Sequence, residues 1–368
     1  MTADDVRFIV RLIRGDQARI AQDLAARPGA LDRLAEAAEA EGLAVVLLRA
    51  LPSLPSSARV SAPRLDALES RRLIQDARAA AILDALGHLA STFAGAGQPF
   101  LLLKGPYLAA RYYGDHRGRE FVDLDLLVPS KDRARACRLL ESEGYARRSR
   151  VIGGEALTGF FVHGFDFARG RASIDLHWHL IRHPSVHVDE RLLWSAHDTF
   201  TLDGRPFGVL SAGHEVVFHA LSLLRDIERG RPKAKNVVDI IQVAAACDAD
   251  LDWDALFERG REDGTLGPLV NVLSMCLDIA DAHDLAPRLA HALECRASRL
   301  VSARPSVQPG HFAPEWMHLG NRWWAARAYD TPPAVWLMWW AASLPFRVAV
   351  HRHHGTARTN QPRRNPPR

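Results

Sequence analysis

Between residues 3 and about 96, apolar positions recur every three or four residues, first in VRFIVRLI and again through LDALESRRLIQDARAAAILDALGHLASTF, a spacing that predicts helices. The stretch Leu51 to Pro63, LPSLPSSARVSAP, interrupts that period with prolines and serines and reads as a loop between helices. At Gly95–Gln98 the character changes. PFLLLKG is a short apolar run ended by glycine, which suits a buried strand, and PYLAARYYG suits one or two helical turns. VDLDLLVP alternates acidic and apolar residues like a strand; after it Ser130 is expected to cap the amphipathic helix KDRARACRLLESEGY, which Gly144 closes. GFFVHGFDFARG and RASIDLHWHLI resemble two antiparallel strands joined by a tight Arg-Gly-Arg turn. From Ser211 the helical period returns, in SAGHEVVFHALSLLRDI, AKNVVDIIQVAAAC and DWDALFERGREDG, and continues to about Cys295. An α+β chain is therefore expected: an N-terminal helical region over 1–96, a core of small mixed sheet and helices over 97–210, a C-terminal helical domain over 211–350 and a disordered basic tail over 351–368.

Composition changes this picture little. The 368 residues are 48% hydrophobic and 24% charged, ordinary values for a globular protein, and long enough to bury more than one core. The net charge of +4 is carried by the tail from His351, whose five arginines meet no acid; the rest of the chain holds 42 basic against 43 acidic residues. A near-neutral body argues against a broad nucleic-acid face. Cys137, Cys247, Cys276 and Cys295 lie far apart without a CxxC, so reduced, mostly buried thiols are expected. The N-terminal residues lack the unbroken apolar region of a secretory signal, and a cytoplasmic address follows by default. Residues 333–346, PAVWLMWWAASLPF, carry no charge and three tryptophans, Trp336, Trp339 and Trp340. They are too few to span a bilayer, which takes roughly 20 apolar residues. Packing on the core is the plain expectation, and weak contact with a membrane surface, assisted by the arginine tail, is the alternative.

The chemistry concentrates in EFVDLDLLVP. On a strand, residues i and i+2 share a face, so Asp123 and Asp125 are expected side by side, with Val122, Leu124 and Leu126 turned to the core. Two close carboxylates repel, and a cation between them relieves the repulsion. Oxygen ligands select a hard ion such as Mg²⁺. Asp175 has the same apolar flanks in SIDLHW and is the expected third carboxylate, with Asp166 in FDF as its weaker rival. Three acids on adjacent strands suit a two-metal phosphoryl or nucleotidyl transfer centre, with the ions about 4 Å apart. Lys104 and Gly105 end the preceding strand, where glycine admits a phosphate to the backbone and the following helix offers free N–H groups. Arg119, four residues before Asp123, is placed to neutralise phosphate charge.

The stretch from Leu101 to Tyr145, LLLKGPYLAARYYGDHRGREFVDLDLLVPSKDRARACRLLESEGY, with the later IDLHWHL and NVVDIIQVA, resembles an uncharacterised nucleotidyltransferase family of the DNA-polymerase-β-like superfamily, over about residues 40 to 290. The resemblance implies a polymerase-β-like core and Mg²⁺-dependent transfer of a nucleoside monophosphate from a nucleoside triphosphate, ATP being the expected donor, to an acceptor. It also implies that Asp123 and Asp125 bind both metals, and that Asp175 binds the catalytic one and helps deprotonate the acceptor hydroxyl. Lys104-Gly105 stands where the superfamily has a Gly-Ser pair, and the eighteen residues from Gly105 to Asp123 exceed the usual spacing. A small-molecule acceptor is expected first, a protein acceptor second, and polymerisation or tRNA work third. The competing class is a non-catalytic nucleotide-binding or scaffold protein.

Other candidates carry less. His177 and His179 are read as facing away from Asp175, which makes structural hydrogen bonding their expected role, and HRHH in the tail reads as disorder. Asp239 in VVDIIQ is left to contact either the acceptor or backbone, and Tyr112 and Tyr113 to stack on a base or to pack. No GxSxG, HExxH or P-loop pattern is present.

Overall fold

Thr2 opens the first helix with a capping box: its hydroxyl accepts from the Asp5 N–H while the Asp5 carboxylate accepts from the Thr2 N–H. This is the start of a computed structural model that describes residues 1–26, 29–54, 59–149, 151, 153–229 and 232–300, with 328–329, 334–335, 337–339 and 341–344 beyond them. The N-terminal helices are α1 (Ala3–Arg14), α2 (Gln17–Ala26), α3 (Ala30–Glu41), α4 (Ala44–Ala50) and α5 (Ala62–Gly95). Then come β1 (Leu101–Leu102), α6 (Pro106–Tyr113), β2 (Leu124–Leu127), α7 (Arg133–Ser142), β3 (Ala146–Arg147), α8 (Glu155–Phe161), β4 (Gly164–Arg169) and β5 (Ala172–His177). After α9 (Glu190–Ser195), β6 (Asp198–Leu202) and β7 (Arg205–Val209), the chain returns to helices: α10 (Ala212–Glu228), α11 (Ala234–Cys247), α12 (Trp253–Asp263), α13 (Leu266–Ala280) and α14 (Pro287–Leu300).

The strands form one mixed sheet in the order β3-β4-β5-β2-β1-β7-β6, parallel at β2–β5 and β1–β7 and antiparallel elsewhere. The α+β class is as expected. One sheet face is apolar: Leu102, Leu124, Leu126, Ile174 and Leu176 pack with Phe165 and Phe167 against Ile82, Leu86, Leu89 and Phe93 of α5. Those α5 residues recur at three- and four-residue steps, which is why a helix of this length can cover the sheet with one stripe. The other face carries Leu101, Leu103 and Leu127 around Phe218 of α10, and beside them the acids of β2 and β5. The N-terminal helices share a core with the C-terminal ones: Ile9, Leu12, Leu34 and Leu47 belong with Leu221, Val238, Leu273 and Leu289.

Three local expectations need correction. Ser130 does not cap α7; its N–H and hydroxyl both donate to the Glu190 carboxylate, and a tight turn over Ser130–Asp132 intervenes before the helix. The segment beginning at Gly159 is still helical through Phe161, so its strand starts only at Gly164. Val122 is not in the core but 52% exposed, because β2 begins two residues later and Phe121 is the side chain that turns inward. The hairpin β6–β7 went unread despite its Asp203-Gly204 turn, whose φ values of 48° and 77° are those of a tight two-residue loop. Of the tryptophan-rich segment, Trp339 lies in a helical stretch against Phe160 and Phe161, whereas Trp336, Trp340 and the tail from His351 fall outside the described residues. No helix among the described residues is long and apolar enough to cross a membrane.

A loop fastens these layers together just before β2. Arg119 donates Nε and Nη2 to the two oxygens of Asp239 on α11, at 2.7 and 2.6 Å, with both side chains buried. Glu120 accepts from the Ala44 N–H of α4 and from Arg71 of α5, and its carbonyl accepts from Lys235 of α11. Removing one member of a buried pair leaves an uncompensated charge. Asp239→Ala is therefore expected to destabilise the protein by about 3–5 kcal/mol in a denaturant titration, and Arg119→Met with Asp239→Leu by less than that single change.

Candidate metal centre

The site is built by strand register. In the parallel pair β2–β5, Asp125 lies directly opposite Asp175, and in the antiparallel pair β4–β5, Asp175 lies opposite Asp166. Residues in register on neighbouring strands project to one face, so Asp166, Asp175 and Asp125 form a row across three strands. Asp123 sits in the bend that leads into β2, half-buried, while Asp125 is buried within the strand. Behind Asp123, a Cβ at Gly105 would come within 3.1 Å of the Asp123 carbonyl oxygen; Gly105 also has φ 71° and ψ −129°, a backbone shape closed to side-chain-bearing residues. The junction of β1 and α6 thus rests directly on the aspartate loop.

His177 faces this row, which corrects the expectation that it turns away. Asp175 and His177 are themselves two residues apart on one strand and must share a face. The imidazole Nε2 lies 3.2 Å from Asp175 Oδ2 and 3.3 Å from Asp125 Oδ1. Asp125, Asp175 and His177 together offer three donor atoms within 4.8 Å of one another, an arrangement suited in charge and spacing to a divalent cation. Asp123 stands next to this trio rather than in it.

Electrostatics follow the geometry. Burial raises the Asp123 pKa, and the negative charges of Asp125 and Asp175 raise it further, to about 7, against the pull of Lys235 and Lys104. Asp125 goes the other way: burial opposes its charge, but the hydrogen bond from His177 and the field of Lys104 hold its pKa below the usual carboxylate range. His177 is deprived of water, which disfavours its charge, yet Asp175 and Asp125 outweigh that and push it up to about 9. Lys104 places its Nζ 4.7 Å from the centre of the Phe218 ring, within the field of both Asp123 and Asp125.

The remaining sequence candidates fall around this centre. Arg119 is 3% exposed and spends its guanidinium on Asp239 and the Glu120 carbonyl. Asp239 also accepts from the Tyr113 hydroxyl at 2.7 Å, and the Tyr112 hydroxyl donates to Glu215 at 2.6 Å. Both tyrosines are held by these bonds within the protein. Lys235 was missed. It stands one helical turn before Asp239 on α11, and burial together with Arg119 lowers its pKa to about 8 although Asp239 and Asp123 oppose the shift. Its i, i+4 spacing to Asp239 was the signal that could have found it.

With this geometry in view, comparison with known proteins defines the class. A profile described as "Uncharacterised nucleotidyltransferase" matches residues 28–281, and the chain belongs to that family. No curated protein matches. Among solved structures, the antibiotic-resistance factor ANT(2'')-Ia is 14% identical, with 48% of this chain and 89% of that chain covered and a TM-score of 0.36. An antigenic nucleotidyltransferase-like protein from Paracoccidioides brasiliensis is also 14% identical, with 60% and 93% covered and a TM-score of 0.33. Likeness this low carries no argument about substrate.

The raised Asp123 pKa has a consequence for stability. Its unfolded value is that of an ordinary aspartate, so as pH rises the unfolded chain releases this proton first, and the folded state loses stability up to about pH 7. In cation-free buffer, Asp123→Asn is therefore expected to raise the melting temperature by an amount that grows from pH 4 to about 7 and then levels off, as scanning calorimetry across that range will show.

Proposed function

We propose that this nucleotidyltransferase moves a nucleoside monophosphate from a nucleoside triphosphate, ATP being the first donor to test, to a hydroxyl of a small-molecule acceptor. The observation that carries the reading is the registered pair Asp125–Asp175 with Asp123 alongside, on one face of the sheet. Asp123, Asp125 and Asp175 would hold divalent ions, with Mg²⁺ and two ions as the assignment for oxygen-rich ligands. Bound there, such ions neutralise the triphosphate and make its α-phosphorus electrophilic.

The chain's own residues supply the rest. Asp175 accepts the proton of the acceptor hydroxyl, whose oxygen forms a bond to the α-phosphorus as the bond to the β-phosphate oxygen breaks and pyrophosphate leaves. Lys104 and Lys235, both in the field of Asp123, stabilise charge on the phosphates, and the Gly105 backbone lets them approach. Arg119 contributes by fixing the loop before Asp123 through its pair with Asp239. A small acceptor agrees with the near-neutral body, which has no excess of basic residues to track a polynucleotide.

Incubation of cell metabolite extract with α-labelled ATP and Mg²⁺ is expected to yield a labelled product, whose mass identifies the acceptor. Asp125→Ala and Asp175→Ala should lower that transfer by a factor of about 10³ or more, and Lys235→Met by about 10²–10³. Label transfer that survives the aspartate changes would defeat the assignment.

A further inference from the structure

Among the described residues His177 is the one histidine that touches two of the three acids, and its surroundings fix its ring more tightly than a solvent-facing ligand would need. It is 1% exposed. The ring stacks on His163, with centroids 5.3 Å apart, and meets the edge of Phe218 at 6.4 Å; His163 is in turn held by Arg225 of α10, Nη1 to Nε2 at 2.5 Å. On the far side of Asp175, a Cβ at Gly164 would come within 3.2 Å of Asp175 Oδ1, so glycine at that position keeps the space beside this oxygen open.

The tautomer decides what such a ring can do. Coordinating a metal through Nε2 requires the proton on Nδ1, and metal-bound histidines almost always give that N–H to an acceptor. Nδ1 of His177 is buried and has no hydrogen-bond partner among the described residues. Whether the ring is neutral or charged, a proton on Nε2 faces two carboxylate oxygens at hydrogen-bonding distance; a ring that offered Nε2 to a metal would give up both bonds and hold its proton on Nδ1, and a buried N–H without an acceptor costs about 1–3 kcal/mol. We propose that His177 is a positioning residue: its Nε2–H clamps Asp125 Oδ1 and Asp175 Oδ2 together, leaving the opposite oxygens of the two carboxylates to face the cation. The inference rests on the metal-centre reading above and adds to it a residue that sets the ligand geometry without being a ligand.

The two roles separate by substitution. Glutamine places an amide N–H near the position of the imidazole Nε2–H but is a poor replacement for an imidazole ligand; alanine provides neither. Calorimetric titration of the full chain with Mg²⁺ and with Mn²⁺, without nucleotide, reads cation affinity apart from turnover. His177→Ala is expected to weaken both ions by the same factor, about 10–100-fold as for loss of groups that orient metal ligands, and His177→Gln to recover most of that loss. A Mn²⁺ affinity that falls far more than the Mg²⁺ affinity, in His177→Gln as in His177→Ala, identifies a direct nitrogen ligand and overturns the clamp. Unchanged affinity in His177→Ala overturns it equally. A wild-type chain that binds neither ion overturns the metal-centre reading itself, an outcome distinct from either of these.

Discussion

Everything around the sheet's polar face answers to one electrostatic constraint: strand register forces Asp125 and Asp175 to project side by side, with Asp123 close enough to feel both. Like charges gathered out of water are costly, and a fold keeps them only when other groups offset the repulsion. Here the protein's own answer is partial. His177 bridges two of the acids, Lys104 and Lys235 lend positive field, and burial still leaves Asp123 with a raised pKa. The raised Asp123 pKa shows that repulsion among the acids is not fully relieved, and Asp125, Asp175 and His177 form a cluster that could hold a metal ion.

The constraint reaches well beyond the strands. Asp123 sits in a bend, outside any ladder of hydrogen bonds, so its position depends on the residues before it. Those are Arg119 and Glu120, tied respectively to α11 and to α4 and α5. The helices before and after the sheet are therefore joined to the acids by a few buried polar contacts as well as by a shared apolar core. Lys235 and Asp239, one turn apart on α11, show the economy of this arrangement: one bonds the Glu120 carbonyl within the field of Asp123, the other anchors the loop that carries Asp123.

Much of this was legible in the sequence, for reasons that differ by residue. The three-and-four spacing of α5 and the AKNVVDIIQVAAAC run of α11 reported their helices because each buries one stripe. The D-h-D of β2 and the matching flanks of Asp175 reported a shared face because strand alternation is strict. That same strictness puts His177, two residues after Asp175 on the same strand, on the face of the acids. Val122 misled for a different reason: alternation predicts facing only inside a strand, and the strand starts at Leu124. Nothing local told that Arg119 would be consumed by Asp239, 120 residues away, since a bidentate pair of that kind is decided by tertiary packing. Ser130 looked like a cap on composition alone, but the Glu190 carboxylate competes successfully for its donors.

If register has brought Asp125 and Asp175 together to hold a divalent cation, crystals grown with Mn²⁺ will show an anomalous-scattering peak bonded to an oxygen of each carboxylate at about 2.1–2.2 Å. The same crystals of Asp175→Asn should show that peak weakened or lost. A fully occupied Mn²⁺ elsewhere in the molecule, with the two carboxylates bridged by His177 and no peak between them, would contradict the account.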